Sequence, residues 1–386
     1  MLRKLPPELW LSIFEYLQWP QRQLASMVSI SPYTKEMVET ILYRDPRIGF
    51  SLQKARISHL VEQFHRTITK GDGHLADGVR TLSLSRLQRR PTRTATPHDS
   101  CLTAALLVSM RNLKRLEVVY HDVILIPPIV DPSDRFTSIT HLCWSSEVAN
   151  AVSFAAFLGS LPSLEDMTAG GDRIGFIPLP STALPLLRRL DKASLNFAES
   201  VLTGRHVPEL GLATNDIEPF FPILDGSISP TLLATMKCVE SLSMTSQGID
   251  SLTLMECASL FSELKYLKIS SEDLLETLAM LQSSAARLYE TKIQSLELHA
   301  VCDDDVEGDV ESMKQLFSTV PSLQIFEFKR MNDNIKDGSY RFCRDKLDDA
   351  PEWIEGEYSE STGTLVLRLR GPLLPTLSWT EINTLS

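Results

Sequence analysis

Phe154-Ala155-Ala156-Phe157-Leu158-Gly159-Ser160-Leu161-Pro162-Ser163-Leu164-Glu165-Asp166-Met167 is the stretch from which the fold is read. Phe154, Phe157, Leu158 and Leu161 fall at helical spacing and make one apolar face. Pro162 stops that helix, since its ring disfavours the helical region for the residue before it. Leu164 and Met167 then enter as apolar-x-x-apolar, the opening of a strand. A unit of helix, proline stop and strand leaves its apolar faces bare unless further copies stack against it.

Copies are present. The frame apolar-x-x-apolar-x-apolar stands at Val79-x-x-Leu82-x-Leu84, Leu113-x-x-Leu116-x-Val118, Ile139-x-x-Leu142-x-Trp144, Val239-x-x-Leu242-x-Met244, Leu264-x-x-Leu267-x-Ile269, Ile293-x-x-Leu296-x-Leu298 and Leu323-x-x-Phe326-x-Phe328. Weaker copies sit at Leu164, Leu187-x-x-Leu190 and Val207-x-x-Leu210-x-Leu212. The fourth positions are 82, 116, 142, 167, 190, 210, 242, 267, 296 and 326, at intervals of 20 to 34 residues. Proline stops recur at Leu184-Pro185 and Val320-Pro321, and helical stretches at Leu274, Leu275, Leu278 and Leu281 and at Val310, Met313, Phe317 and Val320. The pattern resembles leucine-rich repeats, whose period is about 20–29 residues. That resemblance implies an α/β solenoid, an irregular horseshoe in which several copies carry insertions. In the better copies the family's asparagine position holds Leu87, His121, Glu147, Asp172, Leu195, Gln247, Glu272, Val301 and Met331, so no asparagine ladder forms and the backbone groups need other partners.

In such a strand the residues flanking the leucines point to the opposite face. The outward set is mixed in sign and mostly small or polar, running from Thr81, Ser83 and Ser85 to Ile325, Glu327 and Lys329. Its serines and threonines are expected to keep an open sheet soluble. Binding energy concentrates in a few large anchors, which selects Arg115, His141, Tyr266, Lys268, His299 and Lys329 as candidate target-binding residues.

The N-terminus reads separately. In Leu5-Pro6-Pro7-Glu8-Leu9-Trp10-Leu11-Ser12-Ile13-Phe14-Glu15-Tyr16-Leu17 the prolines suit the first positions of a helix, and Leu9, Ile13, Phe14 and Leu17 share one face. Pro20 ends it, Leu24, Met27 and Val28 begin a second stripe, and Ser31-Pro32 caps a third helix bearing Met37, Val38, Ile41 and Leu42. Three short helices bury too little to stand alone. From the residues alone, this unit either caps the following domain or docks on a partner.

Leu5-Pro6, Glu8-Leu9, Ile13-Phe14, Leu17, Val28-Ser29, Ser31 and Leu42-Tyr43-Arg44, in that order, resemble the F-box family. Pro32-Tyr33-Thr34 stands where that family often carries Trp-Arg or Phe-Arg, keeping the aromatic but not the base. The resemblance implies docking on a SKP-type adaptor of a ubiquitin ligase, and through it on a cullin, with Leu5, Pro6, Leu9, Ile13 and Leu17 as the adaptor contacts. An F-box followed by such repeats is similar to the F-box/leucine-rich-repeat class common in fungi. It implies a substrate-recognition subunit of an SCF-type ligase that holds a target protein on its repeats; the alternative is a repeat scaffold with no ligase role.

The expected organisation is an α/β chain with an F-box-like helical domain at 1–48, a linking helix at 49–75 bearing Ile57, Leu60, Val61, Phe64 and Ile68, repeats over 76–330 and a capping region over 331–386. In that last region Leu365, Leu367 and Leu369 alternate as a closing strand, and Tyr340, Phe342 and Trp353 cover the last repeat.

Of 386 residues, 43% are hydrophobic and 23% charged, and the formal net charge is −11, which argues against a nucleic-acid partner. No run of about 18 apolar residues suggests a membrane span. The six cysteines lie at no C-x-x-C spacing and the expected compartment is reducing, cytoplasmic or nuclear. Neither G-x-S-x-G, H-E-x-x-H nor a P-loop occurs: Gly170 and Gly175 have the P-loop interval, but Phe176-Ile177 follow, and a turn is expected there. No catalytic residue, cofactor or metal is therefore expected. Two inserts stand out. The basic stretch from Arg86 to Thr94 is expected to be a solvated loop, a phosphate or acidic contact being the sharper alternative. Asp303-Asp304-Asp305 with Glu307, Asp309 and Glu311 suits a helix N-terminus better than calcium.

Overall fold

The structure, a computed structural model, describes residues 41–50, 57–70, 73–86, 105–119, 136–145, 151–171, 174–177, 179–214, 230–246, 261–271, 292–300, 320–330, 338–344, 352–359 and 364–370, with isolated positions between them. Two compact units divide the chain, Met1–Val207 and Pro208–Ser386. That division falls inside the stretch read as one array.

In the first unit, strands β1 (Arg47–Phe50), β2 (Thr81–Arg86), β3 (Arg115–Val119), β4 (His141–Trp144), β5 (Asp166–Gly171) and β6 (Arg189–Ala193) pair in sequence order, all parallel. Helices α1 (Ile57–Ile68), α2 (His74–Gly78), α3 (Ala151–Gly159) and α4 (Leu195–Leu202) connect or follow them. α1 is the helix that the stripe at Ile57 to Ile68 marks, and Ile68 is fully buried. β1 carries no repeat frame and was invisible to the sequence reading. Of residues 1–42, Gln23, Ser26, Lys35, Val38, Glu39, Ile41 and Leu42 are described, and all are helical. Val38 is fully buried.

The second unit is built alike. β7 (Glu209–Thr214), β8 (Ser241–Ser246), β9 (Tyr266–Ser271), β10 (Ser295–Ala300) and β11 (Ile325–Arg330) run parallel, with α5 (Pro230–Met236) between β7 and β8. β12 (Gly338–Cys343), β13 (Glu352–Ser359) and β14 (Thr364–Arg370) then continue antiparallel. Leu365, Leu367 and Leu369 lie in β14, and the register sets Phe342 beside Phe326 and Tyr340 between Phe328 and Trp353.

The repeat frame is a register. Leu82, Leu116, Leu142, Met167 and Leu190 are successive cross-strand partners, as are Leu210, Leu242, Leu267, Leu296 and Phe326. All ten are at most 3% exposed. Burying each such side chain contributes roughly 1.5–3 kcal/mol, and a slip by one residue would expose a whole row.

Ahead of the strands a second apolar pair closes each turn. The N–H of Leu113, Ile139, Leu164, Leu187, Val239, Leu264 or Leu323 donates to the carbonyl three residues earlier, at 3.0 to 3.3 Å. Only three of these turns contain the proline that the sequence reading made responsible; Met110–Leu113 and Phe261–Leu264 form the same turn without one. The shared feature is the apolar pair at its two ends, buried at both in every one of these turns but Phe136–Ile139, where Phe136 is half-buried. Leu184 departs further: it takes φ 52°, not the extended conformation that a following proline favours.

The missing asparagine ladder has a backbone substitute at the strand entrances. Arg44 O accepts from the N–H groups of both Arg80 and Thr81, Arg80 O from Lys114 and Arg115, Lys114 O from Thr140 and His141, Thr140 O from Glu165 and Asp166, and Glu165 O from Arg188 and Arg189. In the second unit Pro208, Glu240, Lys265 and Gln294 do the same for the repeat that follows each of them. At an exit loop, hydroxyls serve: Ser194 Oγ caps α4 and donates to Ile174 O at 2.6 Å, and Ser200 Oγ accepts from Ile177 N–H at 2.8 Å.

Two sequence readings are corrected. Gly170 and Gly171 end β5 and are not a turn. A Cβ on Gly170 would lie 2.5 Å from Ser145 Cα, so the glycine permits close backbone approach. Arg86 closes β2, in register with Phe50, and so does not belong to the basic loop; residues 87–94 and the acidic run 303–311 lie outside the described residues.

Candidate binding face

In β2 to β11 the described frame residues at the fourth repeat position are buried, and the register sets the alternate positions in rows that cross the strands. In the first unit one row runs Thr81, Arg115, His141, Asp166, Arg189, and the next Ser83, Glu117, Cys143, Thr168, Asp191. Arg115 and His141 are exposed, as expected. Arg115 Nε donates to Glu117 Oε1 at 2.7 Å, while Arg189 lies 3.9 Å from Asp166 and 3.7 Å from Asp191. Exposed pairs of this kind contribute about 0–1 kcal/mol; their effect is to fix where charge is presented. His141 Nδ1 and Thr140 Oγ1 are 2.8 Å apart.

Cys143 stands in the middle of the second row as a free thiol. Burial pushes it above the ordinary thiol value and Glu117 adds to this, against a Ser145 hydrogen bond and the charges of Arg115 and Lys192. A thiol so held is the opposite of an activated nucleophile.

In the second unit the register sets Glu209, Ser241, Tyr266, Ser295 and Ile325 in a first row, Gly211, Ser243, Lys268, Glu297 and Glu327 in a second, and Ala213, Thr245, Ser270, His299 and Lys329 in a third. Tyr266 is 52% exposed, because serines stand beside it on both neighbouring strands and leave its ring clear. Glu297 Oε1 lies 2.5 Å from His299 Nε2 and 3.5 Å from Lys268 Nζ. Lys268 and His299 are thus tied through one carboxylate. Lys329 is in register beside His299.

The fold therefore brings Tyr266, Lys268 and His299 together on one face of the second unit, and Arg115 and His141 together on one face of the first. The adaptor candidates Leu5, Pro6, Leu9, Ile13 and Leu17 lie outside the described residues. Sequence reasoning passed over Asp166, Arg189 and Asp191, since the copies at β5 and β6 lack a large apolar sixth residue and have Ala169 and Lys192 there. It placed Glu297 outward but did not select it; only the cross-strand register brings Lys268 beside it, while His299 lies two residues on along the same strand.

Among the described residues no cluster of three or more His, Cys, Asp or Glu could hold a metal ion, and no helix is long and apolar enough to cross a membrane. No protein-family model matches the chain, and no curated protein matches it. Among solved structures, a Bacteroides fragilis protein determined as a structural-genomics target is similar over 72% of this chain and 74% of its own, at 13% identity and a TM-score of 0.35. A likeness of that size carries no argument. The chain's own geometry gives a repeat-like α/β fold built on parallel strands, each repeat presenting an open row of side chains.

Proposed function

We propose that this chain is the substrate-recognition subunit of an SCF-type ubiquitin ligase, an F-box/leucine-rich-repeat protein. The observation that carries the recognition half is the register: ten frame residues buried in two in-register rows leave aligned outward rows on each unit, a surface suited to holding another protein. The ligase half rests on the N-terminal motif from Leu5-Pro6 to Leu42-Tyr43-Arg44. In this reading Leu5, Pro6, Leu9, Ile13 and Leu17 hold a SKP-type adaptor and, through it, a cullin. Arg115, His141, Tyr266, Lys268, His299 and Lys329 hold the target protein. No residue of the chain does chemistry; its contribution is proximity, which makes transfer to the target effectively intramolecular. Nucleic acid, membrane and cofactors play no part, and the place of action is cytoplasmic or nuclear.

A second reading, a repeat scaffold whose N-terminal helices are a cap, has an observation in its favour. Tyr43 packs against Phe64 of α1 with ring centroids 6.2 Å apart, and Arg44 O begins the entrance ladder. The end of the N-terminal segment is thus built into the first repeat. Co-expression with a SKP-type adaptor separates the two. Co-purification of the adaptor, abolished by Leu9→Glu with Ile13→Glu while the circular dichroism is unchanged, supports the ligase subunit. The scaffold reading stands if no adaptor is retained, or if the same substitutions unfold the protein. Two lost apolar burials would weaken adaptor binding by a factor on the order of a hundred or more.

A further inference from the structure

In the first unit the repeat between β5 and β6 differs from its neighbours. Its return segment, Leu179–Leu187, is a strap without a helix, where the repeat before has α3. Among the described residues, backbone bonds within or into the strap are few: Leu179 N–H to Ile177 O at 2.8 Å, Ala183 N–H to Pro180 O at 2.9 Å and Leu187 N–H to Leu184 O at 3.2 Å. Ala183, Leu184 and Leu187 are buried, but Ser181, Thr182, Pro185 and Leu186 are exposed. Irregularity gathers around it. Leu184 at φ 52° and Lys192 at φ 54° are, among the described residues, the non-glycine residues with left-handed backbone, and the β5–β6 register shifts between Thr168 and Gly171.

A chain that gives up a helix also gives up the donors that satisfy its carbonyls. Arg205 replaces them. Its side chain comes from beyond α4 and the residue is 9% exposed. Nε donates to Ala183 O at 2.7 Å and Nη2 to Pro180 O; Nη1 donates to Val201 O at 2.6 Å and reaches Thr203 O and Ser200 O at 3.3 and 3.4 Å. One guanidinium therefore fastens the strap to the end of α4. The planar five-donor fork of arginine serves acceptors on two segments at once, in a fixed geometry that a lysine ammonium lacks.

We propose that the strap Leu179–Leu187 is the element at which the first unit opens locally, with Arg205 as its latch. Local opening selects segments that little holds in place: among the described residues the strap has three backbone bonds and buries Ala183, Leu184 and Leu187 but no aromatic ring, with strain added at Leu184. The latch is a single side chain, so losing its bonds leaves the strap held by its few backbone bonds and by the burial of Ala183, Leu184 and Leu187.

The test is hydrogen exchange on the full chain, followed by peptide mass spectrometry. Amides of Ala183 and Leu187 exchange at least about tenfold faster than the bonded amides of α3 in the unaltered protein. Arg205→Lys, which keeps the charge and loses the fork, accelerates the strap about tenfold further and leaves α3 where it was. Equal protection of strap and α3 in the unaltered protein overturns the proposal, and that comparison needs no variant. Acceleration of α3 as large as that of the strap in Arg205→Lys also overturns it, by making Arg205 a support of the whole unit.

Discussion

Between β4 and β5 the chain returns through α3, which buries Phe154, Phe157 and Leu158 and meets its own hydrogen-bonding needs. Between β5 and β6 it returns through Leu179–Leu187, which buries smaller groups and leans on Arg205. The frame residues pair in both cases, Leu142 with Met167 and Met167 with Leu190, although the β5–β6 register shifts beyond Thr168. A repeat is thus defined by its strand and entrance turn, while its outer segment is replaceable provided that its carbonyls find donors. The second unit points the same way. Arg344 donates to Leu323 O, Phe317 O and Val320 O at 2.5 to 2.7 Å and lies 5.7 Å from the centre of the Phe317 ring, fastening the last parallel repeat to the end of β12.

The largest effect that would sharpen this contrast is expected in α3. Phe154 is fully buried, with ring centroids 4.9 Å from Trp144 and 6.4 Å from Phe197. Phe154→Ala should cost about 3–5 kcal/mol, whereas Leu186→Ala, on the exposed side of the strap, should cost less than about 0.5 kcal/mol. Thermal unfolding of both variants decides it; similar losses would mean that strap and helix carry the core equally.

Next is the latch. Burial lowers the Arg205 guanidinium from its ordinary value, yet arginine keeps its charge in proteins at any ordinary pH. Arg205→Met leaves Pro180 O and Ala183 O without their donor, at about 1–3 kcal/mol for each carbonyl that water does not reach. Arg205→Met should therefore lower stability by an amount that does not change between pH 5 and 9, since no proton is exchanged over that range. A loss that varied across this window would point to a different group.

Most of this architecture was readable in the residues. The apolar frame located each strand from β2 to β11 because a period-two pattern with one buried face has only one register. β1 escaped, since Arg47-Ile48-Gly49-Phe50 is too short to show that pattern and owes its place to pairing with β2. The strap escaped because Leu184-Pro185 reads as the stop of a helix, whereas no helix lies in Leu179–Leu187, and Arg205 because its strap acceptors Pro180 and Ala183 lie 25 and 22 positions away along the chain. On the binding faces, which side chains point outward followed from alternation. That Glu297 joins Lys268 to His299 required cross-strand distances, which no pattern carries.

A smaller effect is expected at the pinch between β4 and β5. Gly170→Ala would set a methyl carbon 2.5 Å from Ser145 Cα and 3.1 Å from Ser145 C, backbone atoms that cannot turn aside. The strands must part, at about 1–3 kcal/mol. Gly175, with no heavy atom within 4 Å of such a carbon, should accept alanine at no such cost. Equal melting temperatures for the two variants would deny the close approach.

The smallest effect has the opposite sign. Lys192 is exposed, and its left-handed backbone is braced only locally, by its N–H donating to Asp191 Oδ1 at 3.0 Å. A side chain in that conformation costs about 1–2 kcal/mol, and glycine removes the cost while adding about 0.5–1 kcal/mol of unfolded-chain freedom. Lys192→Gly should therefore stabilise the protein by up to about 1 kcal/mol, a rise of about 2–4 °C for a unit of this size. Leu184→Gly meets the same backbone angle but removes a side chain that is 2% exposed, and the lost burial of about 1.5–3 kcal/mol outweighs the relieved strain. The pair should move in opposite directions, Lys192→Gly up and Leu184→Gly down. A fall for Lys192→Gly would mean that β6 does not pass through a left-handed residue, and the irregularity around the strap would shrink to Leu184 and the β5–β6 register shift.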